Sequence, residues 1–333
     1  NGAELSLNKD QGKFRFGLGG VFHLFNIRSS QLLKLNVSPK IALAPLFNIT
    51  YRASMMHYIE LRLKSTYQPM SQNTLFDGPY IADFKRMNFS QIDNILAHTT
   101  ELSAMQAYGN FLKGITLFNM IALSYNHNAL TYDYSMLNPM ISRAISRNAS
   151  GGKALTASSM IEKKMISIPL NIRLYGVISL ARSPFFYQGM AQTSNSNALN
   201  LNLRLKTFYK RGFNGELLAG AAWANSKSDM LNSRQNDYLL SAELGYIANK
   251  WQATISAGQR WRKVNGTNLG YTALRLAMEY DLNKHLRLRL VAQDMLNLKQ
   301  RLMQERIVDN YFTGTRNIHY MPGNVMVGAM VTF

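Results

Sequence analysis

The chain contains no cysteine in 333 residues. That excludes a disulfide framework, thiolate metal sites and a cysteine nucleophile, and leaves the compartment open. Acids are scarce: 18 Asp and Glu stand against 37 Lys and Arg, a formal net charge of +19. Such a balance points either to an anionic partner (nucleic acid, lipopolysaccharide or an acidic ligand) or to a solvated basic surface or lumen. No run of about 18 consecutive apolar residues exists, so no transmembrane helix is expected. A β-barrel stays open, because barrel strands are only half apolar. The opening NGAELSLNKD has no basic segment followed by an apolar one, so it is not a secretory signal, and the chain reads as a mature product or a fragment. Catalytic motifs are missing too: no His-Glu-x-x-His, no Gly-x-Ser-x-Gly and no phosphate-binding glycine loop. None of His23, His57, His98, His127, His285 and His319 stands at a metal-ligand spacing from another. Neither a metal nor a cofactor is expected.

What is present is an alternation of period two along nearly the whole chain. In KFRFGLGGVFHLF, Phe14, Phe16, Leu18, Phe22 and Leu24 fall on one parity, and Lys13, Arg15 and His23 on the other. Successive strand side chains point to opposite faces, so each parity is one surface. ALNLNLRLKTFYK sets Leu199, Leu201, Leu203 and Leu205 against Arg204 and Lys206. HLRLRLVAQD sets Leu286, Leu288 and Leu290 against Arg287 and Arg289. YIELRLKSTY opposes its leucines to Arg62 and Lys64, and YTALRLAMEY opposes Leu274 and Leu276 to Arg275. An Arg or Lys facing lipid at the bilayer midplane costs roughly 2–4 kcal/mol, so a membrane would enforce this segregation. The charged parity, with Arg15, Arg62, Lys64, Arg204, Lys206, Arg275, Arg287 and Arg289, is then the lumen lining.

The pattern predicts an all-β fold: a transmembrane antiparallel β-barrel forming a single domain over 1–333. Fourteen strands are placed near 13–27, 38–51, 55–68, 99–109, 114–127, 153–165, 170–183, 197–210, 213–225, 236–247, 250–262, 269–281, 285–297 and 320–333. Short and long connections alternate, as in outer-membrane barrels with tight periplasmic turns and longer outer loops. SPFFYQGMAQTSNSN and NSKSDMLNSRQN are expected as long outer loops, and two more cover 69–98 and 128–152. Both termini are expected on the periplasmic side. Tyr51, Tyr67, Tyr125, Tyr209, Trp223, Tyr246, Trp251, Trp261 and Tyr280 lie on the apolar parity at or near strand ends. Aromatic rings with a polar handle prefer the headgroup level, so two girdles are expected. The ten residues from Trp251 to Trp261 span roughly 25 Å of membrane normal at barrel tilt.

The chain ends in NVMVGAMVTF. Gly328, Val331 and the terminal Phe333 resemble the C-terminal signal read by the barrel assembly machinery, with Met326 where that pattern usually has a polar residue. The end of the chain also resembles TonB-dependent transporters. Asp294, Met295, Leu296 and Asn297 match that family's penultimate-strand step, and Asp309, Asn310 and Tyr311 match a step in its last long loop. VSPKIALAPLFNITYRASMMHYIELRLKSTYQPM is similar to the mid-barrel of the same family. The resemblance implies a 22-stranded barrel with an N-terminal plug. On that basis the chain, which carries no plug, is expected to be the C-terminal portion, fourteen strands of the 22.

The function so implied is import of a scarce, large ligand (a metal chelate, haem, peptide or glycan) without covalent chemistry. Implied partners are a plug domain, a TonB-type energy-coupling protein and a surface lipoprotein, in a Gram-negative outer membrane with its lipid and lipopolysaccharide. No nucleic-acid partner is expected. A self-contained 14-stranded passive channel and a structural barrel of a surface or secretion complex are the alternatives. Phe185, Phe186 and Tyr187 in an outer loop, and Arg301, Arg306 and Arg316 in the last one, are candidate ligand contacts. Pairing of Asp93 with His98, or of Asp309 with His319, would be needed for hydrolysis at the rim.

Overall fold

In the computed structural model, the alternating segments form strands and pair with their sequence neighbours. The structure describes residues 2–25, 40–69, 80–83, 86–91, 96–138, 141–165, 167–228, 232–296, 301–308, 313–320 and 323–331. The strands are β1 (Gly2–Gln11), β2 (Phe14–Phe25), β3 (Lys40–Ser54), β4 (His57–Pro69), β5 (Tyr80–Asp83), β6 (Arg86–Gln91) and β7 (Leu96–Asn110). Next come β8 (Ile115–Asn138), β9 (Ile141–Ala149), β10 (Gly152–Met165), β11 (Leu170–Tyr187), β12 (Met190–Thr207), β13 (Gly212–Lys227) and β14 (Asn232–Ile247). The last are β15 (Trp251–Val264), β16 (Thr267–Asp281), β17 (Leu286–Gln293), β18 (Arg301–Val308), β19 (Thr313–Tyr320) and β20 (Asn324–Val331).

Eighteen strands share one sheet, and β18 with β19 forms a separate hairpin. The membrane wall is an antiparallel meander in the order β1, β2, β3, β4, β7, β8, β10, β11, β12, β13, β14, β15, β16, β17, β20. Each of the fourteen expected strands has a counterpart in this wall. β1 is an additional strand, paired with β2 from Gly2 opposite His23 to Gln11 opposite Phe14.

The added strand corrects the placement of the chain ends. β1 begins at the rim of the long connections, whereas Val331 lies opposite Leu286 beside the tight 282–285 turn. Fifteen antiparallel strands is an odd number, so residues 2 and 331 sit at opposite rims. The two edges of the wall, β1 and β20, therefore run the same way. Among the described residues no pairing joins them.

Two of the expected long outer loops are also corrected. β11 and β12 continue as one ladder up to Tyr187 opposite Met190, closed by Gln188 and Gly189 alone. The positive φ of both, 51° and 81°, is the two-residue hairpin geometry whose twist matches the strands. The connection after β13 shrinks to 228–231. The regions 69–98 and 128–152 carry strands of their own. The upper half of β8 pairs with β9, which pairs in parallel with β6, and β6 pairs with β5. This small sheet stands on the wall at the long-connection rim.

Candidate functional site: the charged inner face and the two rims

The two faces of the wall differ as the parity demands. One carries exposed leucines, isoleucines and valines along most strands of the wall: Leu61, Leu123, Ile178, Leu203, Leu240, Ile255, Leu288 and Val327 are all exposed. A single-layer sheet gives these side chains nothing of its own chain to pack against. Several polar groups in the middle of this face pair with one another. Ser159 donates to Asn119 Oδ1 at 2.7 Å, and Asn119 donates to Gln106 at 3.1 Å. Thr272 donates to Gln259. Unpaired polar groups facing hydrocarbon would cost several kcal/mol each.

Aromatic residues border the apolar band in two rows. At the tight-turn rim, Phe14 lies 5.0 Å from Tyr51, Phe213 4.8 Å from Tyr246, and Tyr246 5.0 Å from Trp251 (ring centroids). Tyr280 stands opposite Trp251, and Tyr209 is exposed beside the 208–211 turn. At the other rim, Trp223 Nε1 donates to the Tyr238 hydroxyl at 3.1 Å, and Trp261 stands opposite Tyr238.

The opposite face carries the charges, arranged mostly as ion pairs between neighbouring strands. Arg15 contacts Asp10 at 2.8 Å, and Arg62 lies 3.9 Å from Glu60. Lys64 stands opposite Glu101 in register. Glu162 accepts from Arg173 at 2.6 Å and from Asn171 at 3.0 Å. Glu216 holds Arg204 at 2.7 Å and Lys206 at 3.2 Å. Glu279 holds Arg289 at 3.2 Å and Arg287 at 3.4 Å, and Arg287 also reaches Asp281 at 2.6 Å. Arg275 lines a recess of 400 Å³ with Glu216 and Glu243. Nearer the long-connection rim, Asp237 is engaged by Arg260 and by Arg262 at 2.9 Å.

Each lumen cation named from the sequence therefore lies on this face, and most have an acidic neighbour. Glu162 with Arg173, and Asp237 with Arg260 and Arg262, are further pairs that alternation alone does not single out. The acids recur at the inward parity, two or so residues from a cation on the next strand. That is visible in sequence only once register is known.

The outer-loop candidates are placed differently. Phe185 is only 2 % exposed, and Phe186 and Tyr187 are half-buried. The aromatic triple expected on an exposed loop is instead strand, because the hairpin packs beside the upper part of β8, with Phe186 opposite Asp133. The buried Asp133 carboxylate accepts the Gly189 amide at 3.0 Å. Arg301 stands opposite Tyr320, Arg306 opposite Thr315 and Arg316 opposite Glu305 in the β18–β19 ladder, with side chains outside the described residues. Gly328 stands opposite Arg289, and Phe333 lies outside the described residues.

His98 stacks between Tyr67 and His127, at centroid distances of 4.1 and 4.3 Å, and its Nε2 lies 2.7 Å from the Ser65 hydroxyl. Asp93 and Asp309, the expected partners of the rim histidines, lie outside the described residues.

No protein-family model and no curated protein matches the chain. Among solved structures, it is similar to outer-membrane expressed OmpT of Vibrio cholerae at 9 % identity and a TM-score of 0.38, covering 98 % of this chain and 99 % of that one. Two in-vitro folded forms of the same Vibrio cholerae protein match at 10 % identity and TM-score 0.37 (99 % and 94 % covered), and, as the trimer form, at 9 % and 0.34 (98 % of each). An apolar band bordered by aromatic rows, facing away from a charged and paired surface, is the wall of an outer-membrane β-barrel.

Proposed function

We infer that this wall belongs to an energised importer of the TonB-dependent kind, taking up a ligand too large for diffusion channels. The observation that carries this reading is the inner face, where Glu162, Glu216 and Glu279 each hold an arginine of a neighbouring strand.

The cations of that face are held in pairs with acids rather than presented singly to water, which suits a surface that braces a plug. The barrel would supply the lipid-facing wall, the outer cup and the basic lining, and the plug would gate passage. Planar-bilayer recording of the 333-residue chain tests this. The expected result is no steady, uniform conductance. A stable open pore formed by this chain alone would overturn the proposal and favour a passive channel.

A further inference from the structure

A groove of 740 Å³ opens on the apolar face at the long-connection rim, beside the aromatic row. Leu123, Leu155 and Leu180 form its floor, and Lys153, Arg182 and Lys227 stand at its upper border. A second hollow of 480 Å³ shares Asn225 with it and adds Arg234. We propose that this groove binds a phosphorylated, acylated glycolipid of the outer leaflet, its phosphate between Lys153 and Arg182 and an acyl chain on the leucine floor.

Three observations carry this. Lys153 and Arg182 are directly opposite one another across the β10–β11 ladder. Like charges in that position repel unless an anion lies between them. Lys153, Arg182, Lys227, Arg234 and Lys263 are all exposed on the outward parity, and no ion pair engages them among the described residues. The acids described at this rim turn elsewhere, Asp237 to Arg260 and Arg262 and Asp133 to the Gly189 amide. Finally, Asn225 Oδ1 is buried in the groove with no hydrogen-bond partner. An orphan acceptor asks for a donor, and a sugar hydroxyl is one.

Cation, apolar floor and hydroxyl acceptor thus match the phosphate, acyl chain and sugar of one molecule. The position supports a lipid over a soluble anion. The leucines of the floor continue the membrane band, and Lys153 stands opposite Tyr125 at the level of the aromatic row, its Nζ 5.9 Å from that ring. Arginine and lysine give charge-assisted hydrogen bonds to phosphate that neutral groups do not replace.

The test is native mass spectrometry of the detergent-purified chain with added bisphosphorylated hexa-acyl glycolipid. Retention is expected for that lipid and not for its dephosphorylated form. The pair Lys153→Gln with Arg182→Gln is expected to weaken retention at least about tenfold. The exchange Lys153→Arg with Arg182→Lys is expected to preserve it, as is Lys284→Gln at the opposite rim. If the double glutamine variant does not fold, the single variants Lys153→Gln and Arg182→Gln give the same reading, each by a smaller loss. Equal retention of the phosphate-free lipid overturns the proposal. So does unchanged retention in a folded glutamine pair, saturation by inorganic phosphate without lipid, or a protein found on this face in place of lipid.

Discussion

Glu279 stands directly opposite Arg289 in the β16–β17 ladder, and its carboxylate also reaches Arg287 and Gln252 on the other side. One acid thus ties three strands together on the inner face, where sequence alone shows only scattered charges. Glu279→Leu is expected to cost about 1 kcal/mol, since the arginines stay partly exposed and Arg287 keeps Asp281. The midpoint of urea unfolding from lipid vesicles reads it.

Asp237 is a stronger case. Its side chain is 9 % exposed and serves two guanidiniums. Asp237→Ala leaves Arg260 and Arg262 side by side on β15 without the acid, and is expected to cost about 2 kcal/mol. The same unfolding measurement should rank it above Glu279→Leu.

The assignment of faces is tested by one strand. Leu203 and Asn202 are neighbours in β12 and point to opposite surfaces. Leu203→Arg is expected to destabilise the folded barrel in vesicles by roughly 2–4 kcal/mol, and Asn202→Arg by less than about 1 kcal/mol. Equal costs at the two positions would contradict a lipid-facing leucine surface.

The β15–β16 turn depends on its glycine. Asn265 and Gly266 have φ of 47° and 90°, the mirror-image turn that needs left-handed backbone at both central residues. Gly266→Val is expected to cost about 1–2 kcal/mol in folding stability, and Asn265→Gly to be tolerated.

Absence of native cysteine makes the two edges testable without background. Single cysteines at Leu5 or Leu7 in β1, paired with one at Val325 or Val327 in β20, are expected to give no disulfide within one chain on oxidation. An efficient intramolecular link, read by gel shift, would mean that the wall closes on itself.

The strands and their faces were legible because alternation is a local property. Leu199 to Leu205 against Arg204 and Lys206 needs no knowledge of neighbours. Three features were not legible for one shared reason. β1 alternates weakly, with Leu5 and Leu7 its only large apolar side chains, so pairing with β2 rather than its own pattern makes it a strand. The aromatic triple at 185–187 read as an exposed loop because Gln188-Gly189 signals a turn without saying how far the ladder runs before it. The facing cations Lys153 and Arg182 are 29 residues apart, and only register sets them opposite.

By itself, then, the sequence determined which residues meet hydrocarbon and which meet the interior of the barrel, because the two-residue period of a strand turns composition directly into faces. Tertiary structure alone decided which acid neutralises which cation, which cations are left together at the rim, and in which direction the two edges run. Those outcomes depend on the register and number of paired strands, and both are fixed by contacts between segments far apart in the chain.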